Sequence, residues 1–405
     1  MRLLVAFRNV FRNGRRTALN ISMIAGGVAA VIFFRGFSLS QVTELENSLI
    51  KSDLGHLVLA KKIAWERTNQ GMKNGLITNF QEMSNRFRSD SEVQSISGRV
   101  SFYGLLGTGE KSIAARAIAF DPDLEASVLK TYFYPSGRAL GVDSKPETVL
   151  GYGIAKQLNA KVGDSITIIA NTVDNVMNAL DVEVVGVFHN GVEIIDDTTF
   201  LIPLKTAQTL LNTDAVERIV VTLKDTKQTD EALSRFNSQL ESSGSDLQFR
   251  PWYSLSKVYK DVTSFYKVYN AVIEFIILTI VVIGILNTIG MSIFERMGEI
   301  GTLRALGETR KKIIGQFVLE GAVLGVLGAV VGVLGGLLSR SALKVLQIPI
   351  ELPMTSKPFP VQVVLNPRLV LSAVFMAFLA ALLASFIPSV RAARMNIVEA
   401  LKRNI

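Results

Sequence analysis

Apolar residues along the chain gather into four long runs, at 18–34, 271–293, 313–338 and 369–387, while elsewhere polar and apolar positions alternate on shorter periods. A helix needs about 20 mostly apolar residues to cross roughly 30 Å of hydrocarbon. The fourth run is uncharged and the third carries only Glu320. The pattern predicts a membrane protein of four transmembrane helices, at 17–39, 269–293, 313–338 and 369–387.

Residues 40–268 carry short strand-like and helical patterns, which predict one large extracytoplasmic α+β domain between the first two spans. Strands are expected at 55–60, 97–106, 113–120, 165–169, 182–188, 200–202 and 218–223. Helices are expected at 79–88, 151–158, 205–211 and 229–242, with another running from about 255 into the second span. The middle portion, about 105–203, reads as an insertion forming a second lobe. Residues 171–180 (NTVDNVMNAL) read as a loop or hairpin tip that exposes Val173, Val176 and Met177, either folding back onto the domain or meeting a partner.

Charge sets the orientation. Basic residues cluster before span one (Arg2, Arg8, Arg12, Arg15, Arg16), between spans two and three (Arg296, Arg304, Arg310, Lys311, Lys312) and after span four (Arg391, Arg394, Lys402, Arg403). Positive residues stay on the cytoplasmic side, so 1–16, 294–312 and 388–405 are assigned there, and 40–268 and the loop 339–368 outside. This topology accounts for the net charge of +8, and no nucleic-acid partner is expected. In the leader 1–16, Leu3, Leu4, Ala6, Phe7, Val10 and Phe11 oppose the arginines, as in a helix lying in the membrane interface. The run that follows is read as a retained span rather than a cleaved signal. The chain has no cysteine, so no disulfide braces the outer domain.

Residues 292–307 (SIFERMGEIGTLRALG) are a charged segment between two spans and must meet water at the membrane surface. Glu295, Arg296 and Glu299, followed by a break at Gly301, predict a short helix along that surface. In span three, Gly321, Gly325, Gly328, Gly332, Gly335 and Gly336 recur near four-residue spacing, which permits close helix approach. The spacing leaves open whether the neighbour belongs to the same subunit or to a second one. Arg35 and Glu274 lie near outer helix ends and are expected to snorkel. Glu320 sits about two turns, ~10 Å, into its span and is expected to pair with a base beside the charged turn or to reach the interface.

No catalytic residue or metal site is expected. Residues 107–112 (GTGEKS) come nearest to a phosphate-binding loop, but Glu110 separates the final glycine from the lysine. The two histidines, His56 and His189, are far apart and accompany neither metal-ligand spacing nor a nucleophile signature.

Several segments together resemble one family. AFRNVFRNGRRTALN (6–20), ERMGEIGTLRALG (295–307), FVLEG (317–321) and IPSVRAARMNIVEALKR (387–403) are similar to FtsX-like ABC transporter permeases of the MacB and LolC/LolE type, called type VII. VLGYGIAKQLNAKVGDSITI (149–168) and VVGVFHNGVEIIDD (184–197) resemble the MacB-type periplasmic domain. The resemblance implies a non-catalytic subunit in the bacterial inner membrane that pairs with a second permease subunit, identical or paralogous. A cytoplasmic ABC ATPase dimer on separate chains would bind ATP and Mg, leaving this chain without a cofactor. The segment 294–312 would be the coupling helix, with Glu295, Arg296 and Glu299 contacting the ATPase, Met297 and Ile300 seating the helix, and Leu303 near its end. Size and layout suit the lipoprotein-releasing members best, which extract a lipoprotein or other lipid-linked cargo and pass it to a periplasmic LolA-like carrier. By order of elements 171–180 takes the place of the carrier-recruiting hairpin, although it contains no proline. The same resemblance also covers mechanotransducers that activate a periplasmic enzyme, and MacB-like efflux permeases.

Overall fold

The strand-forming residues between the first two apolar runs are gathered into a single ten-stranded sheet in the computed structural model of the protein, which describes residues 7–8, 10–12, 14–65, 72–130, 132–141, 145–350 and 359–395. The chain forms two compact units, a β-rich unit over Glu44–Asp261 and a helical unit that includes Val262–Pro349. The strands are β1 (Leu57–Lys61), β2 (Val93–Gly107), β3 (Ser112–Phe120), β4 (Phe133–Gly137), β5 (Glu147–Gly151), β6 (Ser165–Asn171), β7 (Met177–His189), β8 (Thr199–Pro203), β9 (Arg218–Leu223) and β10 (Leu247–Pro251). The first long helix, α1 (Gly14–Leu49), precedes them, and α2 (Phe80–Arg88), α3 (Tyr152–Leu158), α4 (Leu204–Leu211) and α5 (Thr229–Ser242) lie among them.

The 15-residue strand β2 serves both halves of the sheet. As far as Arg99 it pairs with β9, completing the antiparallel order β10-β1-β9-β2 of a split βαββαβ motif. Helices α2 and α5 cover that half. Phe87, Phe236 and Phe249 meet there with ring centroids 5.0–5.4 Å apart. From Val100 onward β2 pairs with β3 and then with β6, and the ladder continues β3-β8-β5-β7-β6 until it returns to β2. Six strands therefore close into a barrel, which leaves none of them as an open edge. Alternation along β2 sends Val100, Phe102 and Leu106 into the barrel, where they meet Ile166, Ile168 and Phe200. One core runs from Leu57 and Phe249 to Leu150 and Phe200, so the lobes expected from the sequence share both a strand and a core. Helices α3 and α4 end alike, each on an asparagine (Asn159, Asn212) in the left-handed conformation.

The helical unit takes α1 as far as Thr43 and adds α6 (Lys257–Glu295), α7 (Met297–Ala305), α8 (Arg310–Leu346) and α9 (Pro367–Arg394). Helices α1, α6, α8 and α9 are long and apolar enough to cross a membrane. They exceed the lengths expected from hydropathy alone, since helical hydrogen bonding continues beyond the hydrocarbon. The 39 residues of α6 measure about 58 Å, nearly twice the hydrocarbon thickness.

Small residues determine which helices touch. A Cβ built on Gly328, Gly332 or Gly336 would come within 2.5–2.8 Å of Ile24, Val28 or Ile32 of α1. On Gly321 and Gly325 it would meet Ser385 and Ala381 of α9 instead. The glycine stripe thus faces α9 at one end of α8 and α1 at the other, all within this chain. Helix α9 presents a matching small face of Ala373, Ala377, Ala381, Ala384 and Ser385.

Candidate coupling site in the helical unit

The α6-to-α7 turn breaks at Arg296, whose backbone leaves the helical region (φ −98°, ψ 15°). The break expected at Gly301 does not occur. Gly298 and Gly301 are buried within α7, and the helix ends before Gly307, which holds φ +94°. Met297 and Ile300 point inward, and Ile300 packs in one cluster with Ile293, Ile313, Phe317 and Ala393.

Arg296 also turns inward. Its Nη1 lies 3.1 Å from Glu320 Oε1, its Nε lies 3.2 Å from Glu299 Oε2, and its guanidinium sits over the Phe317 ring at 5.4 Å. The pairing answers why an acid stands within an apolar span. An isolated carboxylate there would cost about 2.5–3.5 kcal/mol on insertion scales, and an arginine nitrogen that contacts both of its oxygens offsets that cost. Two acids of the turn also reach the arginines before span one. Glu295 is clamped by both Nη atoms of Arg16, and Glu299 is 3.1 Å from Arg12 Nη2. Partial burial opposes ionisation of Glu299, yet the hydrogen bonds from Arg296 and Arg12 outweigh it and hold the carboxyl below its usual range. Arg304 Nη1 donates to the Ala393 carbonyl at 2.6 Å, tying α7 to the end of α9.

Helix α7 is therefore fastened to α6, α8, α9 and the arginines before span one. Of the residues singled out in the sequence, Met297, Ile300 and Arg296 form the seat, while Glu295, Glu299 and Leu303 remain on the open side. Thr302 and Leu306 join that open side, and Leu306 is 79% exposed. The sequence carried no sign of Arg304 as a tether, because its acceptor is a backbone carbonyl 89 residues away. The leader lies partly outside the described residues. Val10 is buried in the bundle while Phe7 and Phe11 are half-exposed with ring centroids 4.8 Å apart.

Arg35 and Glu274 do not snorkel separately. They form an ion pair, and Arg35 Nη1 also donates to Ser372 Oγ at 2.8 Å.

In the β-rich unit the segment 171–180 is a hairpin, with β6 and β7 continuing to Asn171 and Met177 around a tight turn. Thr172 N–H donates to the Val176 carbonyl, and Asn175 takes φ +60°. Val173 is not exposed as expected. Its side chain packs on the core, and its N–H donates to the Leu211 carbonyl. Val176 and Met177 are exposed, at 62% and 75%. Register brings further apolar residues to the same outer barrel face. Asn171 pairs Met177, Ile169 pairs both Ala179 and Leu105, and Tyr103 stands two residues from Leu105. Tyr103 and Leu105, exposed at 78% and 40%, are the part of this patch that sequence reading missed, since only the β2-to-β6 pairing places them there.

Among the described residues no group of His, Asp and Glu could hold a metal ion. His189 Nδ1 lies 2.9 Å from the buried Asp196, and the ring stacks on Tyr152.

A four-span helical bundle with a β-rich unit between the first two spans defines a multi-pass membrane protein. A model of the MacB-like periplasmic core domain matches residues 17–239, and one of the FtsX-like permease C-terminal domain matches 271–397. The chain belongs to the FtsX-like ABC transporter permeases that carry a MacB-like periplasmic core domain. It is 26% identical over 277 residues to an uncharacterized ABC transporter permease of Methanocaldococcus jannaschii, a match covering 67% of this chain and 66% of that one. The lipoprotein-releasing system transmembrane protein LolE of Haemophilus influenzae is 25% identical, with 65% and 64% covered. The macrolide export protein MacB of Nitrobacter winogradskyi is 27% identical, with 65% and 39% covered. The chain thus spans just under two thirds of the first two relatives and a smaller part of the third. Among solved structures, the periplasmic region of MacB from Actinobacillus actinomycetemcomitans matches 49% of this chain and 89% of its own at 17% identity and a TM-score of 0.36.

Proposed function

We propose that the protein is the permease subunit of an ABC transporter that couples ATP hydrolysis on a separate chain to extraction of a lipoprotein or another lipid-linked molecule from the membrane. The observation that carries this reading is the fastening of α7. A push on the open side of α7 and its flanks, at Glu295, Glu299, Leu303 and Leu306, would move α8 through Arg296–Glu320 and α9 through Arg304, because ion pairs and packed side chains carry displacement between elements. The likeness to LolE supports the lipid-linked cargo. In this reading two copies, or this chain and a paralogue, flank the cargo. The face bearing Val176, Met177, Tyr103 and Leu105 receives a periplasmic carrier.

The likeness to MacB favours a second reading, efflux of a soluble or amphipathic compound with the same coupling helix. Proteoliposomes containing the protein, its cognate ATPase and a lipoprotein separate the two. ATP-dependent release of the lipoprotein to a carrier is the expected result. ATPase turnover indifferent to any lipidated cargo, but stimulated by a small amphipathic compound, would transfer the assignment to efflux.

A further inference from the structure

At the end of the bundle opposite α7, a cavity of about 290 Å³ opens between α1, α6 and the start of α9. That is room for roughly ten waters at ~30 Å³ each. Its polar lining includes Arg35, Lys267, Thr263, Tyr266 and Asn270, and Leu39 and Leu369 supply an apolar wall. Among the described residues no acidic side chain lines it. Arg35 spends Nε on Glu274 and Nη1 on Ser372, so the guanidinium is held in place by two partners. Lys267 is exposed and pairs with no acid among the described residues, and it leaves the cavity with net positive charge.

The depth of the cavity identifies what it meets. Phe34 and Tyr269 are 6.4 Å apart, and Phe265 and Tyr266 stand 6.0 and 6.2 Å from Tyr269. Such a ring of aromatic side chains at the edge of apolar runs marks the membrane–water interface. From Arg35 to Val42 the lining climbs seven residues, about 10 Å of helix, comparable to the thickness of one headgroup layer. A largely apolar cavity that carries one uncompensated cation, Lys267, beside hydroxyl and amide groups, set at that level, suits a phosphodiester whose acyl chains enter the adjoining hydrocarbon.

We infer that this cavity binds the headgroup of an anionic phospholipid, with Lys267 selecting its charge and Arg35 and its neighbours donating to the phosphate. The site rests on the placement of the helical unit in a membrane and is independent of the cargo proposed above. It also differs in chemistry from a lipoprotein's acylated end, which offers no phosphate.

The test uses the full chain purified in a zwitterionic detergent. Bound lipid is measured by native mass spectrometry and by thermal stabilisation on adding phosphatidylglycerol, phosphatidylcholine or inorganic phosphate. Wild-type protein should prefer phosphatidylglycerol over phosphatidylcholine by about five-fold, the factor given by roughly 1 kcal/mol per basic residue near an anionic lipid surface. Lys267→Gln should abolish the preference and Lys267→Arg should restore it. Because Lys267 is exposed and pairs with no acid among the described residues, these variants leave folding intact, which thermal melts without lipid would verify. Equal retention of the two lipids, or a preference unchanged in Lys267→Gln, would overturn the site. Stabilisation by inorganic phosphate equal to that by phosphatidylglycerol would overturn the assignment to a lipid.

Discussion

Arg296 Nη1 contacts both carboxylate oxygens of Glu320, at 3.1 and 3.3 Å, joining the break before α7 to the second turn of a membrane span. Each group explains the other, since a lone charge in either place would be poorly solvated.

Removing one partner should therefore cost more than exchanging the two. Arg296→Ala or Glu320→Ala should destabilise the protein by about 2–3 kcal/mol, less than for a fully buried pair because both side chains keep some contact with solvent. The paired exchange Arg296→Glu with Glu320→Arg should recover a good part of that loss. Thermal melts in detergent check the order, and equal melting temperatures for single and paired variants would show that the contact carries no energy.

Gly332 separates close packing from mere flexibility. A Cβ there would stand 2.6 Å from Val28 Cβ and 2.7 Å from the Ala25 carbonyl oxygen, whereas at Gly335 the nearest atom is 3.4 Å away. Gly332→Ala should lower stability by about 1–3 kcal/mol through overpacking, and Gly335→Ala should be neutral or mildly stabilising. The two melts compared side by side decide it.

Arg99 occupies the point where β2 passes from one half of the sheet to the other, 1% exposed, with Nε 2.8 Å from Glu125 Oε1 and its guanidinium over Phe120. Arg99→Met alone should cost about 3–5 kcal/mol by stranding the carboxylate. Arg99→Met with Glu125→Leu should restore most of it. Urea unfolding followed by tryptophan fluorescence distinguishes these outcomes, and a double variant no more stable than the single would remove the argument.

Acid should loosen the β-rich unit through His56. Burial, partly opposed by Asp225, depresses its pKa from 6.5 to about 4. Its Nδ1 accepts from Leu223 N–H at 3.0 Å, and its Nε2 lies 3.0 Å from Thr226 Oγ1, bonds suited to the neutral ring. Above pH 6.5 both folded and unfolded chains hold it neutral. Between 6.5 and about 4 only the unfolded chain takes up the proton, so stability falls as pH falls, by at most ~1.4 kcal/mol per pH unit. The difference in stability between wild type and His56→Gln, measured across that window, should shrink as the pH is lowered. A difference constant with pH would exclude His56 as the source.

The four spans, seven of the ten strands and the family were legible because each rests on local periodicity or on contiguous motifs, whereas β4, β5 and β10 were not expected from the sequence. Strands were expected at 97–106 and 165–169, and the structure turns Phe102 and Ile168 of those strands inward. Closure of the barrel was not legible, since the pairing of Leu105 with Ile169 joins strands about sixty residues apart and leaves no mark in either. Val173 illustrates the same limit. Its neighbours Val176 and Met177 are equally apolar, and only the nearby end of α4 draws Val173 into the core.

By itself the sequence determined that this chain crosses a membrane four times, displays a charged helix between spans two and three, and carries a large α+β unit, because hydrophobic burial and charge asymmetry act residue by residue along the chain. Tertiary structure alone decided the partners. It set Gly321 against α9 and Gly332 against α1, turned Arg296 inward to Glu320 while leaving Leu306 to solvent, and gathered Arg35 and Lys267 around one cavity. The physical reason is that packing and ion pairing depend on distances between groups that the chain keeps tens to hundreds of residues apart, and a linear pattern records the groups but not their separation in space.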